Sequence, residues 1–198
     1  MSMWVFENEQ IANGYKVICG VDEAGRGPLA GPVCAAAVIL PIDIEIEGLN
    51  DSKKLTVKKR EKLYDIIIEK AMAYGIAFAS EKEIDELNIL NATYLAMNRA
   101  IEMLEIKPDI ALIDGNKNAG INQNSLCIIG GDGRSAAIAA ASILAKVTRD
   151  RYMLELDKKY PEYNFAKHKG YGTKVHYEAL RQYGPSEVHR ITFLKKMH

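Results

Sequence analysis

Short apolar runs of strand length alternate along this chain with longer stretches in which apolar residues recur every three or four positions, the pattern of a layered α/β protein. Tyr15 to Val21 is rich in β-branched residues and Pro32 to Leu40 is a second apolar run closed by Pro41, so both read as strands. Thr56 caps a predicted helix with Leu63, Ile66, Ile67 and the stem of Lys70 on its inner side, and Ala73 to Ser80 fits a third strand. The glycine-rich turn joins the first two strands, and because connections of about ten residues or fewer favour hairpins over crossovers, an antiparallel meander of three strands after a short N-terminal tail is expected. Glu81 to Leu104 follows as helix, with a break near Asn88 and apolar positions at Leu90, Tyr94, Met97, Ile101 and Leu104. Two short strands come next, Ile110–Ile113 and Leu126–Ile129. A long alanine-rich helix over Ser135 to Tyr160, whose small residues permit close packing, precedes a Gly170-Tyr171-Gly172-Thr173 loop, a helix around His176 to Tyr183 and a tail opened by Gly184-Pro185.

Composition narrows the class. With 198 residues, 48% of them hydrophobic and 26% charged, the chain fits one globular domain over 1–198. Cys19, Cys34 and Cys127 are odd in number, widely spaced and set in apolar runs, so they read as core residues in a reducing compartment. No secretory leader pattern opens the chain and no run of apolar residues is long enough to span a membrane, so a cytoplasmic protein without a membrane partner is expected. The formal net charge is zero, yet residues 141–198 carry 12 Lys and Arg against 6 Asp and Glu, a surplus of +6 balanced by −6 in the other 140 residues. A basic C-terminal third suits a polyanion, while acids elsewhere suit a metal.

Three apolar runs end in acids: Val17–Val21 before Asp22, Ile110–Ile113 before Asp114, and Cys127–Ile129 shortly before Asp132. Adjacent strand ends would gather these carboxylates, which repel one another unless a divalent cation neutralises them. Two such cations about 3.5–4 Å apart form the clamp used for in-line phosphoryl displacement. Glu23 next to Asp22 would point to the opposite face of a regular strand, so the backbone is expected to bend there if Glu23 is to join the site. Asp132 lies just ahead of the Ser135 helix, whose N-terminus favours a carboxylate or phosphate. Gly25-Arg26-Gly27-Pro28-Leu29-Ala30 also fits a dinucleotide-binding pattern, but Pro28, Gly31 and Pro32 prevent the helix that pattern must open. His168, His176, His189 and His198 lack zinc-ligand spacing and read as surface or structural residues.

Five ordered blocks then carry a resemblance: Asp22-Glu23-Ala24-Gly25-Arg26-Gly27-Pro28, Asp51-Ser52-Lys53-Lys54-Leu55, Asp114-Gly115-Asn116, the Ile138–Val147 helix segment and Gly170-Tyr171-Gly172-Thr173. Together they resemble the ribonuclease HII family over nearly the whole chain. The resemblance implies a ribonuclease H-like α/β fold, a mixed five-stranded sheet flanked by helices, with about 161–198 as a C-terminal helical, substrate-binding extension. It implies Asp22, Glu23, Asp114 and Asp132 as catalytic metal ligands for Mg²⁺ or Mn²⁺ in a two-metal site. The implied activity is endonucleolytic: hydrolysis of the RNA strand of RNA–DNA hybrids and incision 5′ of single ribonucleotides in duplex DNA, leaving 3′-hydroxyl and 5′-phosphate ends, in ribonucleotide and RNA primer removal.

By the same resemblance Gly25, Arg26 and Gly27 sense the ribose 2′-hydroxyl, Tyr171 packs on the neighbouring deoxyribose, Lys53, Lys146 and Arg149 contact phosphates, and Asn116 belongs to the substrate site. The expected partners are RNA–DNA hybrid and ribonucleotide-containing duplex DNA, bound by a monomer; a replication clamp on the tail is left open by these residues. Two departures stand out: Gly130 where the family often has a basic residue, with Arg134 as a substitute cation, and Thr192 where serine is common in His189-Arg190-Ile191-Thr192-Phe193. The competing reading is a non-catalytic hybrid-binding module whose acids hold a structural cation; another is a nuclease of the ribonuclease HIII type that ignores single ribonucleotides.

Overall fold

A computed structural model describes residues 2–50, 52 and 55–195. Its centre is a five-stranded sheet of β1 (Ile18–Ala24), β2 (Val33–Ile39), β3 (Ala73–Ala79), β4 (Ile110–Asp114) and β5 (Ser125–Ile128), ordered β3-β2-β1-β4-β5. β2 pairs antiparallel with both β1 and β3, as the meander requires, whereas β4 pairs parallel with β1 and β5 parallel with β4. The mixed α/β architecture expected from the resemblance is therefore present. The link from β2 to β3, residues 40–72, is no hairpin. It carries α2 (Val57–Lys70), which packs on the same side as the long helix α5 (Ala136–Lys159), and still returns antiparallel.

Helices α3 (Glu81–Leu87) and α4 (Ile89–Glu102) cover the other face. The break at Asn88 is real: this residue sits at φ 70° and its side-chain oxygen accepts the Leu90 and Asn91 N–H groups, capping α4. All seven residues of β2 are buried, alternating between a cluster under α4 (Val33, Ala35, Ala37, Ile39) and one under α5 (Cys34, Ala36, Val38). Burial on both faces explains why this strand reads as a continuous apolar run.

Three sequence expectations need correction. Residues 5–12 form helix α1 (Val5–Ala12); its buried residues are Glu7 and Gln10, so no apolar period betrays it. Lys70 is exposed, its Nζ donating to the Glu45 carbonyl oxygen. Cys19 and Cys34 are buried, but Cys127 on the edge strand β5 is only half-buried. Beyond α5, the short helix α6 (Phe165–His168), α7 (Lys174–Tyr183) and the short helix α8 (Ile191–Leu194) build a satellite core with Leu29, Ala30, Met153 and Leu156. No helix among the described residues is long and apolar enough to cross a membrane.

What positions the chemistry is the closeness of α5 to β1. Gly20 sits where any Cβ would lie 2.1 Å from the Ala137 carbonyl carbon, and main chain cannot swing aside as a side chain can. We expect Gly20→Ala to destabilise the protein by about 1–3 kcal/mol or more, as overpacking does, read as a lower urea midpoint; an unchanged midpoint would show that α5 and β1 are not in contact there.

Candidate active site

Alternation along β1 sends Ile18, Gly20 and Asp22 toward α5 and Cys19 and Val21 toward α4. Val21 pairs with Ile113 on the parallel neighbour β4, which ends at Asp114 one residue later. Asp132 arrives from a single 3₁₀ turn, Gly131–Gly133, between β5 and α5; Asp114 Oδ1 accepts the Gly131 N–H at 2.7 Å and so fixes that turn to the strand end. Asp22, Asp114 and Asp132 thereby present carboxylate oxygens that all lie within 4.8 Å of one another.

Asp22 is 4% exposed, and its pKa lies well above the usual carboxylate range, first because burial penalises its charge and then because Glu23 and Asp114 stand close; a hydrogen bond with Ser142 pulls the other way. Three crowded hard oxygen donors fit a divalent cation of the Mg²⁺ or Mn²⁺ type, whose charge would let all of them ionise.

Glu23 is not in this group of three. β1 stays regular through it, with Glu23 opposite Ala35 and Ala24 opposite Cys34, so the expected bend at Glu23 is absent; the chain turns only at Gly25, φ 96°. Glu23 instead stands between two clefts, of about 250 and 270 Å³, and its Oε1 meets Arg26 Nη1 at 3.3 Å. The first cleft includes Asp114, exposed Asn116 and Lys117. The second holds Gly25, Arg26, Gly27, Ser52, Ser142, Lys146 and Tyr171. There the exposed Tyr171 ring lies beside Gly27, 3.5 Å from where a Cβ would stand. Lys146 is half-buried and pairs with Asp150 at 2.7 Å. Lys53 lies outside the described residues, but its neighbour Ser52 is buried with its hydroxyl 2.8 Å from that of Ser142.

Two expectations change. Arg149 is 1% exposed, and its guanidinium donates to the carbonyl oxygens of Pro32, Lys169 and Ala30 at 2.9–3.1 Å. It is not presented to a phosphate. At the N-terminus of α5 stands Glu7, a residue the sequence pattern does not single out: its Oε1 accepts from Ser135 Oγ at 2.6 Å and from the Ala137 N–H at 3.1 Å. At the Gly130 departure, φ is 65°, and the proposed substitute Arg134 is turned back to the Ile129 carbonyl and lies over the Phe6 ring.

The chain belongs to the ribonuclease HII family. The model of that family, Ribonuclease HII, matches residues 19–198. Ribonuclease HII of Caldicellulosiruptor bescii is 59% identical over 191 residues, 96% of this chain and 93% of its own. That of Acetivibrio thermocellus is 58% identical over 195 residues, 98% of this chain and 76% of its own. Among solved structures, ribonuclease H2 from Pyrococcus horikoshii superposes with a TM-score of 0.73 at 31% identity, covering 89% of this chain and 93% of that one. A PCNA:RNase HII complex from Archaeoglobus fulgidus gives 0.71 at 25% identity, covering 89% and 94%. As a member of this family the chain is an endoribonuclease, a hydrolase.

Sequence reasoning passed over the residues that hold Tyr171. Ser186 N–H donates to His189 Nδ1 at 3.0 Å, which leaves His189 Nε2 as the donor to His176 Nε2 at 3.0 Å and His176 Nδ1 as the donor to the Tyr171 carbonyl at 2.9 Å. This relay needs both rings neutral. Burial, and then the neighbouring His176, push His189 down to about 4, and burial lowers His176 as well. A histidine with a depressed folded pKa contributes stability above its unfolded pKa and loses it on acidification. Unfolding free energy should therefore fall as pH drops from about 6.5 toward about 4. In His189→Phe that fall should be shallower; identical pH slopes in the two proteins would remove the relay as its source.

Proposed function

We propose that this chain cleaves the RNA strand of RNA–DNA hybrids and incises 5′ of single ribonucleotides embedded in duplex DNA, acting as a cytoplasmic monomer in ribonucleotide and primer removal. The observation that carries the reading is the juxtaposition of the three-carboxylate group with the cleft formed by Gly25-Arg26-Gly27 and Tyr171. Asp22, Asp114 and Asp132 would hold Mg²⁺ or Mn²⁺, with Glu23 as a fourth ligand beside them. When bound, a pair of such cations supplies charge neutralisation at the phosphate and the activation of water.

The protein's own part is positioning and recognition. Ser142 holds Asp22, and the Gly131 N–H holds Asp114. Backbone groups of Gly25 and Gly27 come close to the ribose, where the 2′-hydroxyl separates RNA from DNA. Tyr171 packs against the adjoining deoxyribose, and Lys146, Lys53, Arg26 and Asn116 meet phosphates and sugar. Water adds to phosphorus as the bond to the upstream 3′-oxygen breaks, so the products carry a 3′-hydroxyl and a 5′-phosphate. Residues 161–198 serve as the substrate-binding extension. A replication clamp is a candidate partner on the likeness to the Archaeoglobus protein, which was solved with PCNA.

A duplex with one ribonucleotide, incubated with Mn²⁺ or Mg²⁺, tests this reading: a single nick on the 5′ side is expected, and Asp22→Asn should lower its rate at least 10³-fold. Wild-type cleavage confined to long hybrids would favour the ribonuclease HIII-like alternative, and hybrid binding without turnover the non-catalytic one. Tyr171→Ala should lose junction incision by roughly the 1–3 kcal/mol typical of a stacking contact, with a smaller loss of affinity for plain duplex. Equal losses of both would count against sugar packing.

A further inference from the structure

The tail motif His189-Arg190-Ile191-Thr192 has no place in the chemistry above, yet it reaches both recognition loops. Arg190 is fully buried. Its Nε donates to the Gly31 carbonyl oxygen at 2.8 Å, Nη1 to that of Arg26 at 2.9 Å and Nη2 to that of Gly25 at 2.6 Å. Arg149 takes two further carbonyls of the same turn, Ala30 and Pro32, and crosses to Lys169, beside Gly170 and Tyr171. Main-chain bonds close the seam: Leu29 N–H to the Gly170 carbonyl at 2.8 Å, Gly31 N–H to that of Val188 at 2.9 Å and Arg190 N–H to that of Leu29 at 2.9 Å. On the other side His189 acts through His176 on the Tyr171 carbonyl. Thr192 is fixed in turn by Asp85 of α3, which accepts its N–H at 2.9 Å, its hydroxyl, and the Ile191 N–H at 2.8 Å.

Two guanidiniums buried together repel, and burial followed by Arg149 pushes Arg190 down to about 9. Such an arrangement costs stability unless carbonyl dipoles and an anion offset it. Glu81 Oε1, buried without a hydrogen-bond partner, lies within reach of the field of both arginines. The fork of each arginine is what lets one side chain hold three carbonyls in fixed directions; a lysine offers a single point of charge. Gly25 is required by the same clasp, because a Cβ there would fall 1.9 Å from Arg149 Nε. Each captured carbonyl shares its peptide plane with the next residue's N–H, so the bonds to the Gly25 and Arg26 carbonyls also set the directions of the Arg26 and Gly27 N–H groups.

We propose that Arg190, clasped with Arg149, is a positioning residue that fixes the ribose-sensing loop against the Tyr171 loop and so sets the spacing at which a ribonucleotide followed by deoxyribose is read. This rests on the function proposed above. Loosening the clasp should harm recognition of the sugar junction more than hydrolysis of a long hybrid, in which every sugar on the cut strand is a ribose.

The test compares wild type and Arg190→Lys on a single-ribonucleotide duplex and on a continuous RNA–DNA hybrid, with Mn²⁺. The expected result is a kcat/KM loss at least ten times larger on the former, lying mainly in KM. In Ca²⁺ without turnover, the preference for the single-ribonucleotide duplex over all-DNA duplex, read by fluorescence anisotropy, should shrink at least fivefold. Equal losses on both substrates, or an unchanged preference, would overturn the proposal while leaving the proposed function intact. Absence of single-ribonucleotide incision by wild type would overturn both. Should Arg190→Lys not fold, Arg149→Lys replaces it with the same expectations, and failure of both to fold would reduce the pair to a structural role and refute positioning.

Discussion

Everything at the site follows from holding three carboxylates where they repel. With oxygens no more than 4.8 Å apart, each ionised pair would cost at least about 3 kcal/mol at the effective dielectric of a protein surface. An isolated loop would relax that cost by moving apart. Here relaxation is blocked from each direction: Asp22 belongs to a central strand paired on both sides, Asp114 ends its parallel neighbour, and Asp132 sits in a turn anchored by Asp114 itself. The carboxylates are thus held close in a rigid frame that raises the Asp22 pKa, an arrangement that suits a small, doubly charged ion.

The recognition side is built on a different principle. The loop between β1 and β2 is gathered around two buried cations, with carbonyl dipoles turned inward. Its outward groups are then left facing the cleft beside Tyr171. Negative charge gathers at the strand ends and positive charge is buried beneath the loop, while Glu23 and Arg26, which line both clefts, pair with each other.

Much of this was legible in the residues. Asp22 and Asp114 could be read because strand-end acids after apolar runs announce themselves, and parallel pairing of β1 with β4 makes them neighbours. The break at Asn88 and the extent of α5 likewise follow from period and capping, whereas the antiparallel pairing of β2 with β3 is reached across a long link that carries α2, not through the short connection expected. What escaped did so for physical reasons. α1 turns polar residues inward, so it has no apolar stripe. Arg149 has the composition of a surface cation, and only the packing shows it buried under carbonyls. Arg190 and the His176–His189 relay depend on contacts with residues far away in sequence, which local spacing cannot encode. The regular course of β1 through Glu23 was hidden by Gly25, which signals a turn without saying on which side of it the strand ends.

The cap that Glu7 places on α5 joins residues 128 positions apart, and β1 finds its parallel partner only after some ninety residues have intervened. During synthesis, therefore, the first acid of the site leaves the ribosome long before the strand, turn and helix that complete it. Non-local pairings of this kind form late and slowly. A nascent or truncated chain carries Asp22 without Asp114 and Asp132, so the group of three carboxylates is assembled only once most of its length has folded.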